Sequence, residues 1–505
     1  MRAWGVAGVL VFVLAAVQAR AEDVAGLPAG MWDRVHGVQP RAIELTVTPS
    51  PPAPARLSLK ECVDLAFRYN GRFRSDQDDL LSAMRGLWVA DQRVFYTTEA
   101  GAQRNRPPGA SAISTQSAAA ALDWQRLGGD TLGLRVDTLS QTSFRNLARQ
   151  RPEVSLTYDR PILRGAGLAA TAYEQVRRAR VGLLSAELAF YDSHQALAVQ
   201  VIEQYFATLE AQGEIEIARR RVDRSKRFYD QNYVKFTGEG VKKPEEAWVS
   251  RIAEIDVDQA RLAWEQAQQD LIASEQAYRD AMDALLLRMG LLPGSTPELT
   301  TAVQYAPQAY DGPALVETGL RNSTALAALN LSRDNAAAAR RIAYSAAKPD
   351  LIASFGLTDL GQTGGAAVST GWLAGLTVQV PFWNRGLGEN KASADRALRV
   401  LDQQIVGARD STGQQVRGLV RAAESAKARI AIGEESLKLA QKNREQAQGM
   451  FEEGVPGYDY LRVLDADARL VQAERSLLEQ KVAYYITSVR IRQALGENVT
   501  QGLPE

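Results

Sequence analysis

Two stretches of this chain decide its fold: Ser155-Leu-Thr-Tyr-Asp-Arg-Pro161-Ile-Leu-Arg-Gly-Ala-Gly-Leu168 and Gly375-Leu-Thr-Val-Gln-Val-Pro381-Phe-Trp-Asn-Arg-Gly-Leu-Gly388. Their prolines, Pro161 and Pro381, stand 220 positions apart. In each copy apolar and polar residues alternate up to the proline, as in a strand with one apolar face, and the chain then turns through glycine. About seventy residues without a strong helix breaker follow each turn, against ~11–12 for an average globular helix. A strand, a proline turn and a long helix recurring at this distance mark a duplicated architecture, in which two equivalent halves build one object.

Composition excludes several classes of function. Lys+Arg and Asp+Glu each number 59, for a formal charge of zero. A nucleic-acid partner is therefore not expected, since such binders carry a basic excess. The single cysteine, Cys62, rules out an internal disulfide framework and a cysteine-rich metal site. The two histidines, His36 and His194, are far apart in sequence. No catalytic constellation is readable, so neither enzyme activity nor a cofactor is expected.

Residues 1–21 read as a secretory signal. Arg2 supplies the positive start, Val6 to Val17 the apolar run, and Ala19-Arg20-Ala21 the small-x-small site, with cleavage before Glu22. No cysteine occupies that site, so a lipid anchor is not written there. Beyond it no window approaches eighteen apolar residues, and no transmembrane helix is expected. An exported chain of this kind is either soluble outside the inner membrane or crosses the outer membrane as a closed barrel.

The pattern divides the rest of the chain. Residues 22–56 form a Pro/Ala-rich extended leader. A first repeat, 57–295, opens with a helix from Leu57 to Arg93, Ser58 serving as N-cap with Glu61 three residues on. Its strands lie at about 94–163 and include a hairpin, Ala118 to Arg126 and Thr131 to Ser140, around Gly128-Gly129-Asp130. Its long hairpin helices span 166–289 and break at Gly238 to Pro244. The second repeat, 296–496, has a helix from Pro313 to Ala346, in which Arg321-Asn322 stands where Tyr69-Asn70 stood. Its strands lie at about 349–381, with Trp372, Ala374, Leu376, Val378 and Val380 on the outward face, and its helices at 386–495 break at Gly454 to Gly457. A tail, 497–505, ends the chain.

The long helices carry coiled-coil spacing. Leu184, Leu188, Tyr191, Gln195, Ala198, Ile202, Tyr205 and Leu209 alternate in steps of four and three, and a second stripe at Leu183, Phe190 and Leu197 lies beside them. Ala394, Leu398, Leu401, Ile405, Ala408, Thr412, Gln415, Leu419, Ala422 and Ala426 repeat the spacing in the second half. Two stripes on one helix imply neighbours on two sides, as in a wall of helices. At 1.5 Å per residue such a helix reaches about 100 Å.

In this order the elements resemble the TolC-like outer-membrane efflux protein family across essentially the whole mature chain. The resemblance is carried by Pro161-Ile-Leu-Arg-Gly-Ala-Gly167, Pro381-Phe-Trp-Asn-Arg385, Gly454-Val-Pro-Gly-Tyr-Asp-Tyr-Leu-Arg-Val-Leu-Asp-Ala466 and Arg492-Gln-Ala-Leu-Gly496. It implies an α plus β membrane protein with duplicated halves. That protein would be a homotrimer with a long coiled-coil-like α-helical barrel in the periplasm and a short transmembrane β-barrel in outer-membrane lipid. Four strands per copy would give twelve. The 104–150 region, longer than the simplest family pattern, either adds strands or forms an extracellular loop. The implied function is a passive exit duct for a tripartite efflux pump or a type I secretion system. Its partners would be a periplasmic adaptor (membrane fusion protein) and an inner-membrane RND or ABC transporter. The alternative is a soluble periplasmic coiled-coil adaptor or scaffold, which would lack the two sets of strands before the long helices.

Candidate site residues follow. Tyr458, Asp459 and Asp465 stand after a helix break, where three-fold symmetry would gather them into an acidic gate; as a simpler role, Asp459 would favour a helix N-terminus. Gly240, Lys242, Lys243, Gly454 and Gly457 are candidates for adaptor-docking tips. Trp124, Tyr158, Trp372 and Trp383 suit a membrane-interface belt of aromatics.

Overall fold

The structure, a computed structural model, describes residues 52–92, 94–105, 113–143, 146–237, 254–302, 305–360, 369–382, 384–453 and 460–501. The first half runs through β1 (Arg56–Leu57), α1 (Leu59–Tyr69), α2 (Gly71–Ala90), β2 (Val94–Asn105), β3 (Ile113–Gln125), β4 (Thr131–Ser143), β5 (Asn146–Pro161), α3 (Thr171–Thr237) and α4 (Glu254–Met289). The second runs through β6 (Glu298–Leu299), α5 (Gly312–Asn322), α6 (Thr324–Ala346), β7 (Asp350–Leu360), β8 (Ser369–Gln379), α7 (Arg385–Glu452) and α8 (Tyr460–Ala494). The programme is the same in both halves except that four long strands stand where the second half has two. Among the described residues no helix is long and apolar enough to cross a membrane.

The short helices correct the expectation of continuous helices over 57–93 and 313–346. Ser58 caps α1 as read: its Oγ accepts from the Glu61 N–H at 3.3 Å, and the Glu61 carboxylate accepts from the Ser58 N–H at 2.9 Å. Asn70 then ends α1 and starts α2. Its Nδ2 donates to the Arg288 carbonyl (2.8 Å), while its Oδ1 accepts from the Phe73 N–H (3.1 Å). In the second half α5 and α6 part at Ser323, which is extended, and Asn322 Nδ2 donates to the Leu495 carbonyl (2.9 Å). Each lock closes on a glycine of positive φ just past the helix it holds, Gly290 (78°) and Gly496 (68°). Only glycine fits there. A Cβ at Gly290 would lie 2.3 Å from the Tyr69 carbonyl oxygen, and one at Gly496 would lie 2.8 Å from that of Asn322.

Two compact units divide the chain. One, containing Ala189–Thr324 and Arg409 onward, is helical. Here β1 pairs in parallel with β6, Arg56 beside Glu298 and Leu57 beside Leu299, so matching residues of the two halves meet. Leu57, Leu59, Tyr205, Phe206, Met282, Leu285 and Met289 are buried in its core. On α3 the expected stripe is interior from Leu188 through Tyr205, and Phe190 and Leu197 of the second stripe are buried as well. On α7 the interior series falls one residue later than expected, at Val416, Val420, Ala423 and Ile430, and leaves Gln415 and Ala422 exposed. Two overlapping 4-3 series run along α7, and the one richer in branched apolar side chains wins the interior.

The other unit, Asp79–Leu188 with Ala325–Ala408, holds a single six-stranded sheet in the order β2-β3-β4-β5-β7-β8. Every neighbouring pair is antiparallel. Of the two alternatives left open for the 104–150 region, its described residues take the first and add strands to the sheet: β3 is matched to β4 from Ser114↔Thr142 to Gln125↔Thr131.

Candidate functional site

Register turns the alternation of single strands into two continuous faces. Val94, Trp124, Leu132, Tyr158, Phe355 and Ala374 form one row across all six strands. Two residues further along, Leu122, Leu134, Leu156, Leu357 and Trp372 form the next. Side chains two apart share a face, so both rows lie on the same side. Most of this surface is bare within the chain: Leu122, Leu134, Leu156, Phe355 and Leu357 are exposed, Trp372 is 74% exposed, and Trp124, Leu132 and Tyr158 are half-buried. Rows one residue out of phase lie on the opposite face: the one between reads Phe95, Asp123, Gly133, Thr157, Gly356 and Leu373, and the one beyond reads Thr97, Ala121, Arg135, Ser155, Thr358 and Gly371. On that face Arg135 pairs with Asp137 at 2.8 Å. A bare apolar face this wide is costly in water and suits lipid, while its polar reverse suits a water-filled lumen.

In the helical unit the start of α8 is held by charge. Arg224 Nε of α3 donates to Asp467 Oδ1 at 2.6 Å, and Arg444 Nε of α7 lies 4.0 Å from the same oxygen. The three line a cavity of about 30 Å³ with Phe228, Val463 and Leu464. Tyr229 stacks on Trp264 of α4 (centroids 5.7 Å apart), and Phe228 packs on Phe451 of α7 (5.2 Å). Sequence reading missed the Asp467 node, because its partner Arg224 lies 243 residues away and no local spacing signals it. Elsewhere in this unit His194 stacks on Phe67 (centroids 4.1 Å apart), and burial pulls its pKa down to about 4. Cys62 is fully buried, and burial, with the Glu61 charge, pushes its thiol up to about 12.

A model of the outer membrane efflux protein family matches residues 315–497. The solvent efflux pump outer membrane protein SrpC of Pseudomonas putida is 25% identical over 353 residues, 63% of this chain and 70% of that one. The crystal structure of the outer membrane protein VceC from Vibrio cholerae superposes with a TM-score of 0.64 at 15% identity, covering 87% of this chain and 96% of the other. The open-state MtrE outer membrane channel of Neisseria gonorrhoeae gives 0.61 at 14% identity, covering 92% and 98%. The chain is similar to outer membrane efflux proteins: in sequence over residues 315–497, and in fold, that of the TolC-like channels, over most of its length.

For this TolC-like chain the sequence-derived residues fall as follows. Trp124 and Tyr158 share the first apolar row, and Trp372 ends the second. The Arg126 guanidinium sits 5.4 Å from the Trp124 ring centroid, and Tyr158 Oη donates to Asp130 at 3.4 Å, so both aromatics join apolar bodies to polar ends. Asp465, on the first turns of α8, pairs with Arg469 four residues on, at 2.9 Å and in the open. Trp383, Tyr458, Asp459, Gly240, Lys242, Lys243, Gly454 and Gly457 lie outside the described residues.

Proposed function

We propose that this TolC-like protein is the exit duct of a tripartite efflux pump, working as a homotrimer whose sheets close one outer-membrane β-barrel and whose helices line the periplasmic passage. The observation that carries this is the apolar row running without interruption across the whole sheet, backed by a polar row. A single sheet with free edges cannot stay in lipid, so copies must close it. Val400, Val406, Ile432 and Leu439 of α7 are exposed and apolar, which supports a neighbouring copy packing against that helix. Between the two systems the sequence allowed, the efflux pump is favoured by the relative whose name places it in a solvent efflux pump. The repeats 57–295 and 296–496 would be its two domains. The duct itself is passive; an inner-membrane transporter supplies the energy, and a periplasmic adaptor docks at the tips around Gly240, Lys242, Lys243, Gly454 and Gly457. No feature favours the soluble scaffold, which has no use for a bare apolar sheet face.

Fractionating membranes on a sucrose gradient tests the placement. The mature protein is expected to band with outer-membrane lipopolysaccharide, and recovery as a soluble periplasmic species overturns the reading. Within it, Tyr458, Asp459 and Asp465 form the narrowing at the periplasmic end, where three copies of each carboxylate attract cations. The double substitution Asp459→Ala, Asp465→Ala is then expected to leave folding intact and to weaken block by multivalent cations in planar bilayers. An unchanged conductance and block would return both carboxylates to ordinary helix-start roles.

A further inference from the structure

We propose that Arg126 and Arg160, on the apolar side of the sheet at the end joined to the helices, form a binding site for the phosphate of an anionic phospholipid. This rests on the outer-membrane reading above, which puts that end of the sheet at the inner leaflet.

The two arginines share one carboxylate. Arg126 Nη1 lies 3.8 Å from Asp130 Oδ2, and Arg160 Nε lies 4.0 Å from Asp130 Oδ1, so neither contact is a hydrogen bond. Both arginine side chains are mostly exposed, at 59% and 65%, whereas Asp130 is 16% exposed. Two cations over one half-satisfied anion leave a net positive charge facing outward. The nearest carboxylates along the strands do not cancel it, because Asp123 and Asp159 fall in register rows of the opposite face.

Three contacts fix the side on which this charge stands. The Arg126 guanidinium lies against the Trp124 ring, Tyr158 Oη donates to Asp130, and Arg160 follows Tyr158 by two residues on the same strand. Trp124 and Tyr158 belong to the first apolar row, so the pair of guanidiniums sits at the foot of the apolar face. The turn beneath is rigid. The Arg126 N–H donates to the Asp130 carbonyl (2.8 Å), the Gly129 N–H to the Arg126 carbonyl (3.0 Å), and the Gly167 N–H of the next loop to the Gly128 carbonyl (3.0 Å). A Cβ at Gly129 would lie 2.8 Å from the Gly165 carbonyl oxygen, so the two loops are in contact. The arginines are thus positioned before any ligand arrives.

The surroundings select an amphiphile. Guanidinium forks match the oxygens of a phosphate, and the net charge prefers a lipid whose head is anionic overall. A soluble anion would have no use for the apolar surface on both sides of the pair. Leu122, Leu134 and Leu156 are exposed further up the sheet, and Leu127, Ile162 and Leu163 are exposed in the turns below. Acyl chains fit the first set, and the interfacial layer fits the second.

Native mass spectrometry of the detergent-released protein, stripped of lipid and titrated with phosphatidylglycerol, phosphatidylethanolamine or inorganic phosphate, tests the site. The parent is expected to retain phosphatidylglycerol in preference to phosphatidylethanolamine, up to one per copy. Arg126→Gln combined with Arg160→Gln should weaken phosphatidylglycerol binding about thirtyfold, the worth of two basic side chains at a membrane surface. Arg135→Gln, on the opposite face, should bind as the parent does. Asp130→Asn removes the opposing charge and should tighten binding; it leaves both arginines in place and so decides the matter where the double variant does not assemble. Weaker binding by Asp130→Asn, or parent-like binding by the double variant, overturns the proposal. Inorganic phosphate binding as tightly as the lipid would make this a site for a soluble anion and overturn it too. Recovery of the parent as a soluble periplasmic species defeats the duct reading, whereas an outer-membrane protein with unchanged lipid binding in the double variant defeats this site alone.

Discussion

The two halves of this protein agree where backbone geometry is tightest and differ where only an alternating face is required. Asn70 with Gly290 and Asn322 with Gly496 form the same lock, an asparagine amide on the last carbonyls of a distant helix and a positive-φ glycine beneath a backbone oxygen. A lock of this kind tolerates no extra atom, so a duplicated chain keeps both copies. The strands obey a looser rule. A hairpin can be added to a sheet provided its residues alternate in phase with the rows already there, and the first half has two strands more than the second. The same contrast appears in the long helices: α3 buries two stripes inside its own chain, whereas α7 keeps apolar residues such as Ile432 and Leu439 bare.

The largest effect is expected at the locks. Gly290→Ala places a Cβ 2.3 Å from a backbone oxygen at a φ of 78°, and the neighbour cannot rotate away. The left-handed backbone and the overpacking together should cost about 3–4 kcal/mol. Gly496→Ala, with its nearest oxygen at 2.8 Å, should cost about 2–3 kcal/mol on the same grounds. Urea midpoints of the detergent-solubilised protein, followed by circular dichroism, give the two values. Equal and small losses would mean that the halves are not held by these locks.

Mild acid should act on the first half through His194, which has no histidine counterpart in the second. Its folded pKa, about 4, lies below the ordinary value of 6.5, so on acidification the unfolded chain takes up the proton first. The neutral ring's contribution is complete above pH 6.5 and is lost as the pH falls toward 4, by up to about 3 kcal/mol. His194→Phe keeps a ring against Phe67 and should flatten the pH dependence of unfolding over that window. A variant with the parent's slope would show that other groups set it.

Much of this architecture is written locally. The capping box at Ser58 and Glu61, the stripe from Leu188 to Tyr205 and the outward set of β8 follow from spacing alone. The breaks at Asn70 and Ser323 do not, because apolar periodicity runs through both and the asparagine partners, Arg288 and Leu495, are supplied by tertiary structure. The one-residue shift on α7 was hidden by two overlapping 4-3 series. The strand count stayed open in the sequence because β3 is largely alanine and serine from Ser117 to Ala121, and its apolar face becomes visible only when Leu122 and Trp124 are set beside Leu134 and Leu132 in register. At the gate and tips most candidates lie outside the described residues, while the Arg224–Asp467 contact depends on helices far apart in sequence.

The comparison between the halves turns on whether the added strands face lipid, and spin labels along β3 measure this directly. Single cysteines at Ala120, Ala121, Leu122, Asp123 and Trp124 would carry the label in outer-membrane vesicles, with collision rates measured against oxygen in the lipid and a nickel chelate in the water. The expected result is a period of two, with Ala120, Leu122 and Trp124 reached by oxygen and Ala121 and Asp123 by the chelate. Uniform access of the chelate to all five positions would contradict a six-stranded wall and leave β2 and β3 outside the membrane.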